Sequence, residues 1–287
     1  MKQPNRYTQV GLFDTASQVV NMPTKRKQHT RQRTTNDVLT WSYGGGTQSI
    51  ALALLVVSGK LPKPALTVFC DTSFEASETW EYNNQYVVPL LASVGITIEI
   101  ASHDLATVDL YGKNGDLLEP AYTQEGKLPT FCSAEWKKRV FRRYLRLQGV
   151  KSCVTWLGMS TDELDRVKPS DVEWQQYVWP LVFDVPMSRT ECVQLVRNAG
   201  LPPPPKSSCY ICPHRRNPQW QRLKMYYPQD FQKAVKHDRM IRERDKLHAV
   251  YLHESRQPLD QVDFTQAETP VLFGEENGGC QSGYCFV

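Results

Sequence analysis

The sequence contains no apolar run approaching the roughly 20 residues that a membrane-spanning helix needs. Its opening stretch also lacks the apolar region of a secretory leader, so a cytoplasmic protein with no membrane partner is expected. No glycine cluster ends in Gly-Lys-Ser/Thr, which excludes a kinase-type phosphate loop. The Gly-x-Gly-x-x-Gly spacing of dinucleotide folds is missing too. There is no internal repeat. Neither sign of charge dominates: 34 Lys and Arg face 30 Asp and Glu, a net charge of +4, so the bulk composition does not mark a nucleic-acid binder. A length of 287 residues with 40% hydrophobic content suffices for a core, in one large domain or one domain plus a smaller one.

What is there is unevenly distributed. Residues 1–36 carry seven Lys and Arg against Asp14 alone. Such an arm reads either as a solvated, poorly ordered tail or as a segment that touches nucleic-acid phosphates. Beyond it, Val38–Trp41, Leu66–Cys70, Ile96–Ile100 and Cys153–Leu157 read as strands. Between them, Ser49–Val57, Glu75–Val94 and Ser133–Leu147 read as helices. Strands alternating with helices predict an α/β fold with a parallel sheet, whose ligands bind beyond the carboxyl ends of the strands. The expected organisation is an arm over 1–36, a nucleotide-binding domain over 37–190 and a Cys-rich metal- or cluster-binding region over 191–287. The last opens on the Pro202–Pro205 run, extended and stiff, and forms a small helical appendage.

The stretch "SYGGGTQS", residues 42–49, follows the first strand. Gly44, Gly45 and Gly46 allow a tight turn and close approach of backbone to a ligand. Their N–H groups, with the start of the next helix, form an anion site, to which Thr47, Gln48 and Ser49 add side-chain donors. Without a loop lysine, such a site suits a pyrophosphate.

Ser42 to Ser49 resembles the Ser-Gly-Gly-x-x-Ser loop of the PP-loop ATP pyrophosphatases, with one extra residue and an inserted aromatic, Tyr43. Further segments are similar to the phosphoadenosine-phosphosulfate-reductase-like branch, including phage-borne members. "CDTSFEASET" supplies Asp71, Thr72, Glu78 and Thr79, with Ser73 where glycine is usual. "FCSAEWKKR" supplies Cys132 and Lys137; "GMSTDELDR" supplies Gly158, Asp162, Glu163 and Arg166; "PPPKSSCYICPHR" supplies Cys209 and Cys212. The resemblance implies an adenine nucleotide alpha hydrolase-like fold and cleavage of ATP to AMP and pyrophosphate. It implies Mg2+ on the phosphates with Asp71 as an oxygen ligand; a helix N-cap is the other reading of that residue. Lys137, Arg166 and Cys132 fall on motif positions and are the expected catalytic residues. Thr72 and Gly158 join the loop as nucleotide-binding ones.

Eight cysteines in a cytoplasmic chain do not suggest a disulfide framework. Cys70, Cys153 and Cys192 lie in apolar runs and read as core. Cys209-x-x-Cys212 has the spacing of metal ligands. Two arrangements are open. In one, resembling the sulfurtransferases of DNA phosphorothioation and tRNA thiolation, Cys132, Cys209 and Cys212 hold a 4Fe-4S iron–sulfur cluster with Cys280 or Cys285 as the fourth ligand. In the other, Cys209, Cys212, Cys280 and Cys285 form a closed Zn2+ site.

Basic residues recur in "KKRVFRRYLR" and in "HRRNPQWQRLK", where Trp220 reads as core. Either run is a solvated face or a contact with phosphates. The leading expectation is an ATP-dependent sulfurtransferase acting on a nucleic acid, tRNA or DNA. The alternatives are a phosphoadenosine phosphosulfate reductase and a zinc-stapled binding module. The sequence names neither the sulfur donor nor an oligomeric state.

Overall fold

A computed structural model describes residues 37–102, 110–115, 117–245 and 249–265. The basic arm, Cys280 and Cys285 lie outside the described residues. β1 (Val38–Ser42), β2 (Leu66–Asp71), β3 (Ile98–Ser102), β6 (Cys153–Leu157) and β7 (Gln175–Val178) form one sheet in the order β3-β2-β1-β6-β7. Every pairing in it is parallel. A small antiparallel hairpin, β4 (Tyr122–Thr123) with β5 (Gly126–Lys127), stands apart. The α/β class expected from the alternating pattern is what is observed.

Helices cover both faces of the sheet, because its strands are apolar on both sides. On one face α1 (Thr47–Val57) is buried almost all round, against Trp41, Phe69, Leu91, Trp156, Leu181 and Val196. α3 (Val88–Ala92), α5 (Pro180–Phe183) and α6 (Arg189–Asn198) complete that layer. On the other face α4 (Arg139–Leu147) places Val140, Phe141 and Leu145 on Val68, Cys70, Ala101 and Cys153. A second core combines Leu117, Leu118, Ala121 and Trp136 with α7 (Asn217–Tyr226), α8 (Pro228–Arg244) and residues up to Phe264.

Chain order along the sheet reverses between β1 and β6. Both βα loops at that point leave from carboxyl ends of strands, opening the crevice where α/β folds hold ligands. Two helices also depart from α geometry. Asn83–Val87, between α2 (Ser77–Tyr82) and α3, and Ser133–Lys138, ahead of α4, are π-helical turns. Such turns insert an extra residue and gather at functional sites.

Candidate functional site

β1 carries Ser42 to the sheet edge, and the chain turns through Tyr43 and three glycines into α1. Gly45 has φ +69°, and a Cβ there would lie 3.0 Å from a Phe69 ring carbon and 3.2 Å from both Asn83 and Thr79. Only glycine fits that position. Asn83, on the first π-helical turn, braces the loop: its amide donates to the Gly45 carbonyl at 3.2 Å, and its oxygen accepts from the Tyr43 hydroxyl. The inserted aromatic is therefore a buried strut under the loop, and burial pushes its hydroxyl above the ordinary tyrosine range.

The Gly44 N–H donates to Ser49 Oγ at 3.0 Å. No side chain caps α1, whose N-cap is Gly46, so the amides of its first turn are left to serve an anion. Thr47, Gln48 and Ser49 are all buried. Ser42 Oγ is buried with no hydrogen-bond partner among the described residues.

Gly158 follows β6 and lies so close that a Cβ there would sit 3.2 Å from Ser49 Oγ. The next turn contains Glu163, which accepts from Gln48 Nε2 at 3.1 Å and from the Ser160 N–H at 3.3 Å. Arg166 is 7% exposed and ion-paired with Glu163. The structure thus places Arg166 behind the loop, where it fixes Glu163 against the first turn of α1.

At the end of β2, Asp71 Oδ1 accepts from the Ser73 N–H at 2.8 Å. Ser73 has φ +62°, which explains why glycine is usual at this motif position. Asp71 does not cap the next helix; α2 begins at Ser77 with Ala76 as its N-cap. Thr72 is buried, with Oγ1 3.2 Å from Cys209 Sγ.

Thr72 opens into a second cavity, of about 70 Å³, lined also by Cys132, Lys137, Cys209 and Cys212. The cysteines come from two remote segments: Cys132 immediately precedes the second π-helical turn, which carries Lys137, and the Cys pair follows the proline run. The strap from Lys206 to Ser208 closes the gap to the glycine loop. Ser207 Oγ donates to the Gly44 carbonyl, and a Cβ on Gly46 would lie 3.3 Å from Ser207 Cβ. The glycine loop and the thiol cavity share this wall.

Burial governs the electrostatics of the cavity. It pushes the Cys132 thiol up to about 12, with neighbouring Cys212 adding to the shift. Cys209 is raised well above the ordinary thiol range by burial and then by Glu75. For Lys137 burial works against the charge, but Glu75, then Cys209 and Cys132, hold its ammonium above the usual range. Burial pushes Lys206 down to about 8 and His214 down to about 3, the latter also through Lys127 and Lys206.

Five lining residues carry buried polar atoms without a hydrogen-bond partner among the described residues: Glu119 Oε2, Ser133 Oγ, Trp136 Nε1, Ser208 Oγ and His214 Nε2. Orphaned groups at this density fit a polar occupant. Among the described residues no three or more His, Cys, Asp and Glu side chains converge as a ready-made metal centre. In chemical kind, three thiols beside orphaned polar groups suit a soft metal or a sulfide-containing cluster.

Glu75, Glu119, Lys206 and Ser207 were not anticipated from the sequence. The position of Lys206 and Ser207 just before Cys209 was the one usable signal. Cys70, Cys153 and Cys192 are buried free thiols, as expected. Several cations of the basic runs already have partners within the chain, although Arg139, Arg146 and Arg222 stay exposed. Arg142 binds Asp171, Gln175, Ser170 and Tyr177; Arg139 pairs with Glu135; Arg146 stacks on Trp174. Arg215 and Arg222 clamp buried Glu78, and Trp220 is fully buried. No helix of the described residues is long and apolar enough to cross a membrane.

No family model matches the chain, and no curated protein matches it. Solved structures similar to it include two sulfur-related enzymes. One is the phosphoadenylyl-sulfate (PAPS) reductase from Candida auris in its phosphate complex, 14% identical, with 59% of this chain and 76% of that chain covered and a TM-score of 0.40. The other is the U34-tRNA thiolase NcsA from Methanococcus maripaludis with its 4Fe-4S cluster, 13% identical, with 72% of each chain covered and a TM-score of 0.41. On its own geometry the chain has the fold class its motifs imply: a parallel α/β domain with a glycine loop resembling the PP-loop at the reversal point of its sheet.

Proposed function

We propose that this chain is an ATP-dependent PP-loop enzyme that adenylates its substrate, releasing pyrophosphate, and then transfers sulfur to it. The supporting observation is the wall shared by the glycine loop and the thiol cavity, through Ser207 and Thr72. An anion seat without a loop lysine suits the departing pyrophosphate. A substrate oxygen attacks the α-phosphorus, the bond to the β-phosphate oxygen breaks, and the electron pair leaves on pyrophosphate. The uncapped amides of α1 face that developing charge, the largest single lever on such a step. Asp71, with one oxygen holding the Ser73 turn, offers the other to Mg2+.

In the second half, a sulfide equivalent from an external donor attacks the activated carbon, and the C–O bond to AMP breaks; no net oxidation occurs. Cys132, Cys209 and Cys212 would hold a 4Fe-4S cluster. The cluster would supply an iron able to bind the transferable sulfur. Lys137, held charged by Glu75, balances negative charge at the cavity. The preferred acceptor is a nucleic acid.

Protein purified without oxygen should contain iron and labile sulfide and absorb broadly near about 400 nm. Cys209→Ala should abolish that band. It should also release pyrophosphate from ATP when an acceptor is present. Stoichiometric zinc without iron would overturn the sulfur-transfer half. Absence of ATP binding would overturn the whole reading.

A further inference from the structure

A second groove, of about 810 Å³, runs along α8 on the far side of the Phe74 ring from the thiol cavity. Phe74 lines the groove, Trp136 lines the cavity, and their rings pack 5.4 Å apart. One wall of the groove is aromatic: Phe74, Tyr111 and Tyr210, all half-buried. Tyr210 stands between Cys209 and Cys212 in sequence, so this wall is continuous with the cysteine loop.

Beside it runs a single stripe of α8. Lys233, Lys236, Met240 and Arg244 follow one another at three- and four-residue spacing, and all four are exposed. Among the described residues no Asp or Glu lines the groove, although Asp245 acts on Tyr111 and Asp230 on Tyr210. Lys233 has Asp230 at 3.4 Å, but the lysine side chain is 57% exposed and that carboxylate is buried. Two of the cations already lie over rings: Arg244 is 3.6 Å from the Tyr111 centroid and Lys233 is 5.5 Å from that of Tyr210. Cations that track phosphates beside rings that accept bases are how proteins hold single strands. A duplex keeps its bases paired and away from such a wall.

We propose that this groove is the docking track for a single-stranded nucleic acid, with phosphates along Lys233, Lys236 and Arg244 and bases against Tyr210, Tyr111 and Phe74. It rests on the reading of the acceptor as a nucleic acid, and it moves the contact from the basic runs that the sequence makes conspicuous to a helix face that it does not. A strand lying here sits one aromatic layer from the thiol cavity.

Fluorescence anisotropy of labelled mixed-sequence 12-nucleotide RNA and DNA tests it, with pyrophosphate release from ATP measured on the same samples. The wild type should bind single strands more tightly than the matching duplex. K236E/R244E should weaken binding by about 10- to 100-fold and lower the salt slope by about 2. Tyr210→Leu should cost about tenfold with the salt slope unchanged. K60E, on an exposed turn away from the groove, should bind like wild type. Unfolding curves establish that each variant is folded; should K236E/R244E not fold, Lys236→Gln alone should still lower the slope by about 1. Equal binding by wild type and K236E/R244E would overturn the proposal, as would equal competition by polyglutamate of matched charge. No binding by wild type at low salt would overturn it together with the nucleic-acid acceptor, while pyrophosphate release would still report on the ATP half by itself.

Discussion

The Ser207 hydroxyl donates to the Gly44 carbonyl at 2.5 Å, across 163 positions of sequence. That one bond ties the strap ahead of the cysteine pair to the glycine loop. Two more fasten the same strap to the helix after β2: Tyr82 OH donates to the Pro202 carbonyl at 2.7 Å, and the Ala76 N–H donates to the Ser208 carbonyl at 3.3 Å. Four prolines keep the segment extended between these anchors, which limits its entropy before it docks.

Glycine substitutions should separate backbone strain from steric exclusion. Gly45 and Gly59 both have positive φ, +69° and +73°, but only Gly45 is hemmed in by side chains. Gly59→Ala should cost about 1–2 kcal/mol, the left-handed penalty alone. Gly45→Ala should cost about 1–3 kcal/mol more and abolish ATP binding. Urea unfolding and nucleotide titration check both.

Glu163→Ala should remove the carboxylate that Arg166 and Gln48 share. Breaking a buried ion pair from one side costs about 3–5 kcal/mol. ATP affinity should fall with it, because Gln48 loses its anchor in the first turn of α1. Glu163→Gln, which keeps an acceptor oxygen, should retain most nucleotide affinity while losing stability. Unchanged affinity in Glu163→Ala would show that Gln48 does not depend on this support.

Lys206 gives a pH signature. Its folded value, about 8, lies below its ordinary 10.5 because of burial. Between those values the unfolded chain holds the proton and the folded chain has lost it, so stability rises with pH across that window. The penalty is fully present below about pH 8 and amounts to roughly 3 kcal/mol. Lys206→Met should therefore be more stable than wild type near pH 7, with the difference shrinking as pH climbs from 8 to 10.5. Denaturant midpoints of the two proteins across that range measure it.

Arg142→Ala should act on stability and not on nucleic-acid binding. Its guanidinium joins Asp171, Ser170, Gln175 and Tyr177, and so fastens α4 to β7 and the loop before it. Losing charged hydrogen bonds there should cost about 1.5–3 kcal/mol. Oligonucleotide anisotropy should match wild type. A loss of affinity with preserved stability would return α4 to the list of phosphate contacts.

Local patterns read well where one physical requirement dominated. Cys153–Leu157 is a strand at the expected bounds, since a fully buried five-residue apolar run has few other options. β3 lies at Ile98–Ser102, two residues later than the pattern suggests, because pairing with β2 carries it to Ser102 opposite Asp71. β7 went unread because "QQYV" carries no apolar run. Gln175 is buried there only by virtue of partners elsewhere, donating to Thr155 Oγ1 at 3.0 Å and accepting from Arg142. The helix expected from Glu75 starts at Ser77, because Glu75 instead forms an isolated antiparallel bridge with Cys209.

The sequence by itself determined the α/β class, a glycine turn after the first strand, and three of the cysteines that line the thiol cavity. Each of these depends on residue type and short-range spacing, which fix period, φ and donor chemistry. Tertiary structure alone decided that Ser207 closes the loop, that Arg166 works through Glu163, and that most conspicuous arginines are already paired. It also decided that Lys233, Lys236 and Arg244 line one groove together with Tyr210 and Tyr111. The Ser207 bond spans 163 positions, and the Gln48 bond that gives the local Glu163–Arg166 pair its place spans 115; no local spacing encodes where the chain returns.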